Sequence, residues 1–305
     1  MKTSFECSGV PLVRPDFSTG FHRAASSWLL LDVRPETLEA AIELLAQHGA
    51  LNNHFSGLHI TGLDDLEFLR DYPLLLYLVG EELSPKALQS VESLSNLRGL
   101  RLNAPKGGVD LTCFPNLEEF IGDWHRGNSG IGDCGELRTL RAWGFRSTEP
   151  DLSALAKCAR LERLWLVRPG IKSIEGIESL EDLRYLDLAY APKIESLTPL
   201  AAPTVDLREL SLANMKAITD YSPLASIRKL RRLSIFKCAP MEDLAWTKGM
   251  DYLDSIGFVE TKVLNGDLSP LLSLPLLRYV GAGNKKHYSH TDEELNALLD
   301  ESIGE

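Results

Sequence analysis

Cysteine is sparse in this sequence and never paired. The five cysteines of the 305-residue chain, Cys7, Cys113, Cys134, Cys158 and Cys238, are odd in number, widely scattered and free of any CxxC spacing, which excludes a disulfide framework and zinc-finger ligation. Long apolar runs are missing as well, so no stretch has the roughly eighteen residues that a membrane-spanning helix requires. The opening stretch, MKTSFECSGVPLVRPDF, has an early lysine but no apolar core of secretory-signal length. These absences predict a cytoplasmic protein in a reducing compartment. Basic residues are outnumbered, 32 against 43 acidic ones, giving a formal charge of −11. Such a balance opposes phosphate backbones and anionic membrane surfaces, so neither nucleic acid nor membrane is an expected partner. Enzyme signatures are absent too: there is no GxSxG, no GxxxxGK[ST], no HExxH and no Gly-rich dinucleotide turn. Nothing here calls for catalysis or a cofactor.

What the sequence has in quantity is internal repetition. The pattern L-x-x-L-x-L recurs as LRGLRL from Leu97, LERLWL from Leu161, LRYLDL from Leu183, LRELSL from Leu207 and LRRLSI from Leu230. Weaker copies are LEEFIG from Leu117, LRTLRA from Leu137, LDSIGF from Leu253 and LRYVGA from Leu277, and earlier ones are LLYLVG from Leu75, FSGLHI from Phe55 and WLLLDV from Trp28. The first positions of these twelve rows lie 27, 20, 22, 20, 20, 24, 22, 24, 23, 23 and 24 residues apart, a spacing in or near the roughly 20–29 residues of leucine-rich repeats. Each row supplies a short strand whose alternate side chains enter the core. A single row cannot bury its own leucines, so rows must stack into a one-dimensional array with a cap at each end.

The return half of several repeats reads DLSAL (151–155), SLTPL (196–200), DYSPL (220–224) and DLSPL (267–271). Ser or Thr as N-cap acceptor and Pro at the first helical position predict short helical turns there. The combination of apolar row, isoleucine about eleven residues on (Ile171, Ile194, Ile218) and S/T-P-L resembles the repeats of bacterial internalins and related short-repeat proteins, over roughly residues 90–283. The resemblance implies an α/β fold, a curved leucine-rich-repeat solenoid with a parallel sheet on the concave face and loops or short helical turns on the convex face. It also implies a binding protein. The sequence departs from internalins in having no signal peptide, no cell-wall sorting tail and no regular asparagine after each strand, where Pro105, Pro169, Ala191 and Met215 stand instead. It looks more like an intracellular bacterial repeat protein, an antagonist of a toxin or an adaptor.

The organisation expected is a cap over residues 1–54 with a helix at 36–48, a solenoid over 55–284 and a C-terminal cap helix within 285–305. Leu38, Ala41, Ile42 and Leu45 form the stripe of the first helix, which Pro35 opens and Gly49 stops. Thr291 and Glu294 have capping-box spacing before the last helix. Residues 1–20 show no period and read as an arm or irregular cap.

Outward strand positions carry the candidate partner-binding set. Successive rows display Arg101 and Asn103; Glu119, Asp123 and Trp124; Arg141 and Trp143; Arg163, Trp165 and Arg168; Tyr185, Asp187 and Tyr190; Glu209 and Asn214; then Arg232, Phe236 and Lys237. Rows about 4.8 Å apart would place Trp124, Trp143 and Trp165 in a ribbon, and Trp, Tyr and Arg dominate binding hot spots. The expected partner is a protein or peptide, with some basic groups to meet Glu119, Asp123, Asp187 and Glu209. The tamer alternative has arginines stacked on the rings merely to finish the sheet surface. A different class, an enzyme or small-ligand receptor, would draw on His125, Asp123, Asp187 or Glu209 as acid and base, and needs a compact pocket. His287 and His290 with Asp292 and Glu293 are candidate metal ligands, but the full set of zinc ligands is not evident and a polar turn is the simpler reading. Cys238 reads as a buried structural thiol and Asp267 as a turn-forming acceptor. Oligomeric state is not encoded legibly.

Overall fold

The computed structural model describes residues 5–7, 10–13, 30–48 and 57–303. Trp28, Gly49, Phe55 and the greater part of residues 1–20, on which some expectations fall, lie outside the described residues. Contacts divide the chain into two units, Met1–Thr139 and Leu140–Glu305, each with its strands in sequence order.

In the first unit β1 (Phe5–Cys7) and β2 (Val10–Val13) pair antiparallel, and β2 runs antiparallel to β3 (Leu30–Val33). The described part of the expected arm or irregular cap is thus this pair of strands, and β2 covers the edge of β3, which hides its free backbone groups. From β3 the pairing is parallel through β4 (Gly57–Thr61), β5 (Tyr77–Glu81), β6 (Gly99–Asn103) and β7 (Glu119–Asp123). The helix α1 (Leu38–His48) buries Ala41, Leu44 and Leu45 while Leu38 and Ile42 are only half-buried, so its apolar stripe is rotated slightly from the expected one. A second helix, α2 (Pro85–Val91), starts where Ser84 Oγ accepts the Ala87 N–H at 3.3 Å and Pro85 fills the first turn.

The second unit holds β8 (Thr139–Trp143, from Leu140 on), β9 (Arg163–Val167), β10 (Tyr185–Ala189), β11 (Glu209–Ala213), β12 (Arg232–Phe236), β13 (Ser255–Gly257) and β14 (Tyr279–Gly281). In both units every strand of the array begins at the third residue of its row, as the repeat requires. The row-opening leucines, such as Leu97, Leu161, Leu183 and Leu230, are buried, and so are the fourth- and sixth-position residues such as Leu164 and Leu166. Twelve rows thus become twelve strands.

The short turns of the return side follow a different cap chemistry from the one expected. They are 3₁₀ turns at Ser153–Leu155, Thr198–Ala201, Ser222–Ser226 and Ser269–Ser273. The acceptor is not the Ser or Thr of the turn but the side chain two residues before it: Asp151 takes the Ser153 N–H at 2.8 Å, Ser196 that of Thr198 at 3.1 Å, Asp220 that of Ser222 at 2.9 Å and Asp267 that of Ser269 at 2.9 Å. An Asx-type i to i+2 bond suits a turn too short to offer an N3 amide to an N-cap residue. Asp267 thereby takes the turn-forming role read from the sequence.

Without an asparagine at each turn, the backbone supplies the links itself. From β9 to β12 the residue after each strand is left-handed: Arg168 (φ 51°), Tyr190 (φ 56°), Asn214 (φ 56°) and Lys237 (φ 52°). Their amides donate to Ala189, Ala213, Phe236 and Val259 carbonyls of the next repeat at 2.8, 2.8, 2.9 and 3.3 Å. Deeper in, the Thr261 hydroxyl accepts the Cys238 N–H at 3.0 Å and donates to the Ile235 carbonyl at 2.8 Å. Polar groups of the turn are thus satisfied by backbone and one buried hydroxyl.

The closing helix α3 (Asp292–Ile303) starts with the expected reciprocal box: Glu294 N–H to Thr291 Oγ1 at 3.2 Å and Thr291 N–H to Glu294 Oε2 at 2.8 Å. Leu295 and Leu299 are buried. Asn296 bonds both the N–H and the C=O of Val280, at 2.9 Å each, tying the helix to β14.

Candidate functional site

On the second unit the outward residues form registered rows. Arg163, Tyr185, Glu209 and Arg232 lie side by side across β9 to β12, and Trp165, Asp187, Ser211 and Ser234 form the next row. Trp143 and Trp165 have ring centroids 6.5 Å apart at 36°. The Arg141 guanidinium sits 3.5 Å from the Trp165 ring centroid and 4.7 Å from that of Trp143, so it roofs the pair. Arg163 lies 4.6 Å over Tyr185, and Arg168 lies 5.6 Å from Tyr190. Arg168 and Tyr190 project from the left-handed turn rather than from the strand, and Tyr190 is half-exposed. Phe236 ends β12 with the Lys237 ammonium 5.0 Å from its ring. The stacking that the tamer alternative described is therefore present, and it builds a continuous amphipathic strip with half-exposed rings.

Trp124 does not join that strip. It is 8% exposed and packs edge-on against the buried Phe120 at 5.6 Å. Gly122, two residues before it, sits at φ 141° where a side chain has no room: a Cβ there would fall 1.9 Å from the Leu102 carbonyl oxygen. Asp123, next to it, is committed to the fold, accepting the Ala104 N–H at 2.8 Å. The expected ribbon of three tryptophans is corrected to the pair Trp143 and Trp165.

The carboxylates counted on to meet a basic partner are also engaged on the second unit. Glu209 pairs with Arg232 at 3.1 Å. Asp187 is half-buried, and burial pushes its carboxyl above the ordinary carboxylate value, with the Ser211 hydroxyl and Arg141 pulling the other way. Arg163 Nε is buried without a hydrogen-bond acceptor among the described residues.

On the first unit, Arg101 Nε reaches Asn103 Oδ1 at 3.4 Å and Asn103 Nδ2 donates to Glu81 Oε1 at 2.7 Å. This chain continues into a constellation that sequence reasoning missed. His59 Nδ1 lies 2.9 Å from Asp32 Oδ1, and its Nε2 lies 3.5 Å from Glu81 Oε1. The Asp32 carboxylate is nearly buried and also meets Arg34 at 3.0 Å. Both ring nitrogens face protein carboxylates, which leaves neither for a substrate. Projecting the first rows outward like the later ones would have found it, since Asp32 and His59 occupy the fifth position of their rows.

The other enzyme candidates are not assembled. His125 Nδ1 accepts the Gly127 N–H at 3.0 Å. At the C-terminal end, His287 Nε2 is bonded to the Val263 carbonyl at 3.0 Å, and Asp292 accepts the Ala282 and Gly283 amides at 3.0 and 3.1 Å. Among the described residues no group of three or more His, Cys, Asp and Glu is arranged to hold a metal, and no helix is long and apolar enough to cross a membrane. Cys238 is buried, its thiol pushed up by that burial and directed to the Leu212 carbonyl at 3.3 Å. It is a structural thiol.

A second feature missed from the sequence is a column of arginines at the second position of the rows. Arg184, Arg208 and Arg231 are stacked on adjacent chains, the Arg208 N–H bonding Arg184 O and the Arg231 N–H bonding Arg208 O, both at 2.8 Å. Beside them lies a depression of about 420 Å³ lined by Tyr185, Arg208, Glu209, Arg231, Arg232 and Asp254.

No family profile and no curated protein matches the sequence. Solved structures do. The internalin InlF of Listeria monocytogenes aligns with 21% identity and a TM-score of 0.58, covering 90% of this chain and 76% of the internalin. A leucine-rich-repeat protein of Leptospira interrogans aligns with 16% identity and a TM-score of 0.62, covering 85% and 66%. A chain of the Toll–Spätzle complex of Drosophila aligns with 11% identity and a TM-score of 0.51, covering 68% and 30%. The shared feature is the fold: this chain is an internalin-like leucine-rich-repeat solenoid.

Proposed function

We propose that this solenoid is a non-catalytic scaffold that holds a protein or peptide on the outward face of its sheet. A repeat fold of this kind supports protein binding generally, and one structure of like fold is part of a protein–protein complex. The observation that carries the reading is the strip of Trp143, Arg141, Trp165, Arg163 and Tyr185 on the second unit, which offers large flat rings with cations already stacked beside them. Rings held in place by neighbours lose little freedom on binding. The chain's charge of −11 favours a partner with some basic groups. An intracellular antagonist or adaptor in the cytoplasm fits the cysteines, since Cys113, Cys134, Cys158 and Cys238 are all free thiols.

The experiment is capture of partners by wild type beside the Trp143→Ala, Trp165→Ala double variant, with the fold of each checked by circular dichroism. Each truncation should weaken binding by about 2 kcal/mol or more. Equal capture by the folded double variant would move the binding surface away from this strip.

A further inference from the structure

The arginine column makes the second unit's face locally positive on a chain that is acidic overall. Around the depression, Arg184, Arg208, Lys229, Arg231 and Arg232 face four carboxylates, Asp182, Asp206, Glu209 and Asp254. One of those, Asp206, is shared by three cations: Arg184 at 3.8 Å, Arg208 at 3.4 Å and Lys229 at 3.2 Å. Glu209 is taken by Arg232 at 3.1 Å. Arg231 is exposed, and its guanidinium is paired with no acceptor among the described residues.

We propose that this depression, at the starts of β10 to β12, is a carboxylate-binding subsite that takes an acidic segment of the partner protein. Adjacent rows of a parallel sheet are about 4.8 Å apart, so the stems of Arg208 and Arg231 leave the backbone at a separation that one carboxylate can bridge. A planar guanidinium donates two parallel N–H bonds to a carboxylate, a fit that Lys cannot reproduce. Tyr185 forms one wall of the depression, and the Arg163 guanidinium is stacked on it. An acidic residue of the partner would therefore meet Arg231 first, with the aromatic strip one strand away to receive its neighbours.

The subsite rests on the reading of the outward face as a protein-binding surface, and a defined probe separates the two. A fluorescein-labelled, C-terminally amidated decapeptide of alternating Glu and Tyr is titrated into the full chain, with the Gln–Tyr isostere as control. Wild type should bind the Glu peptide at least about tenfold more tightly than the Gln peptide, and added salt should narrow that gap. Arg208→Gln with Arg231→Gln should cut the affinity by about tenfold, whereas Arg278→Gln, in the same column but outside the depression, should leave it unchanged. Arg231→Gln alone serves where Arg208, bonded to Asp206, proves necessary for folding. Failure of the Glu peptide to bind wild type, equal binding of the Gln peptide, or full binding by the arginine variants overturns the subsite. Loss of the Glu peptide in those variants while the Trp143→Ala, Trp165→Ala variant still captures its partner leaves the subsite standing and removes only the aromatic strip.

Discussion

Replacing Leu186 by Ala tests the inward and outward assignment on which every functional statement depends. Leu186 is the second residue of β10, 2% exposed, in register between Leu164 of β9 and Leu210 of β11. The substitution removes three carbons, and at about 0.8 kcal/mol for each buried methylene the transfer loss alone is about 2.4 kcal/mol. A cavity then remains, because the leucines on either side are fixed by their own strands, and it brings the total to about 2–5 kcal/mol. Urea unfolding should show a lower midpoint, and hydrogen exchange should show faster opening of the repeats on both sides, as expected when each repeat is held by its neighbours. Trp165→Ala is the matched control: the side chain is one position later in its row, on the opposite face of the strand, half-exposed, and stacked mainly on Arg141. It should cost about 0.5–1.5 kcal/mol. Equal losses for the two variants, or a larger one for Trp165→Ala, would refute the assignment.

Asp187→Asn should raise stability at neutral pH. Burial holds the Asp187 carboxyl above its ordinary value of 3.8, so the folded chain keeps that proton more tightly than the unfolded chain, and stability falls as pH rises from below the ordinary value through the raised one. Asn removes the loss, so the urea midpoints of variant and wild type should differ at pH 7 and converge below about pH 4; a less stable variant at pH 7 would contradict this. His59→Leu leaves the nearly buried Asp32 with Arg34 as its ion-pair partner, and should cost about 1–3 kcal/mol in thermal or urea melts; a neutral result would mean that the imidazole contributes no net stabilisation. Thr261→Val keeps the shape but strips the hydroxyl that serves Cys238 N–H and Ile235 C=O. A loss of about 1–3 kcal/mol is expected, with faster exchange of the Cys238 amide, and unchanged exchange there would show that another group takes over.

The rows were legible because leucine recurs where a strand must face the core, and burial of Leu97, Leu161, Leu183 and Leu230 follows that pattern without exception. Trp124 was not, because its burial is a matter of packing against Phe120, and the sequence there says only that a sixth-position leucine has been replaced by glycine. The capping acids were visible as Asp two residues before Ser in DLSAL, DYSPL and DLSPL, but the familiar Ser/Thr-Pro signature claimed the role first. The arginine column was in plain sight as the Leu-Arg that opens the rows at 97, 137, 183, 207, 230 and 277. Its meaning needs the stack, since only parallel register turns arginines more than twenty residues apart into neighbours. The same holds for Asp32, His59 and Glu81, whose encounter is a property of register and not of any local motif.

The left-handed turns separate two jobs that most proteins assign to the same atoms. From β9 to β12 each repeat is fastened to the next by a main-chain amide at that turn, so the link itself asks nothing of the side chain there. The residues found at it are an arginine, a tyrosine, an asparagine and a lysine, with nothing in common except that they point away. Substitution in this column leaves the amide link in place, its backbone cost being the modest strain of a left-handed residue.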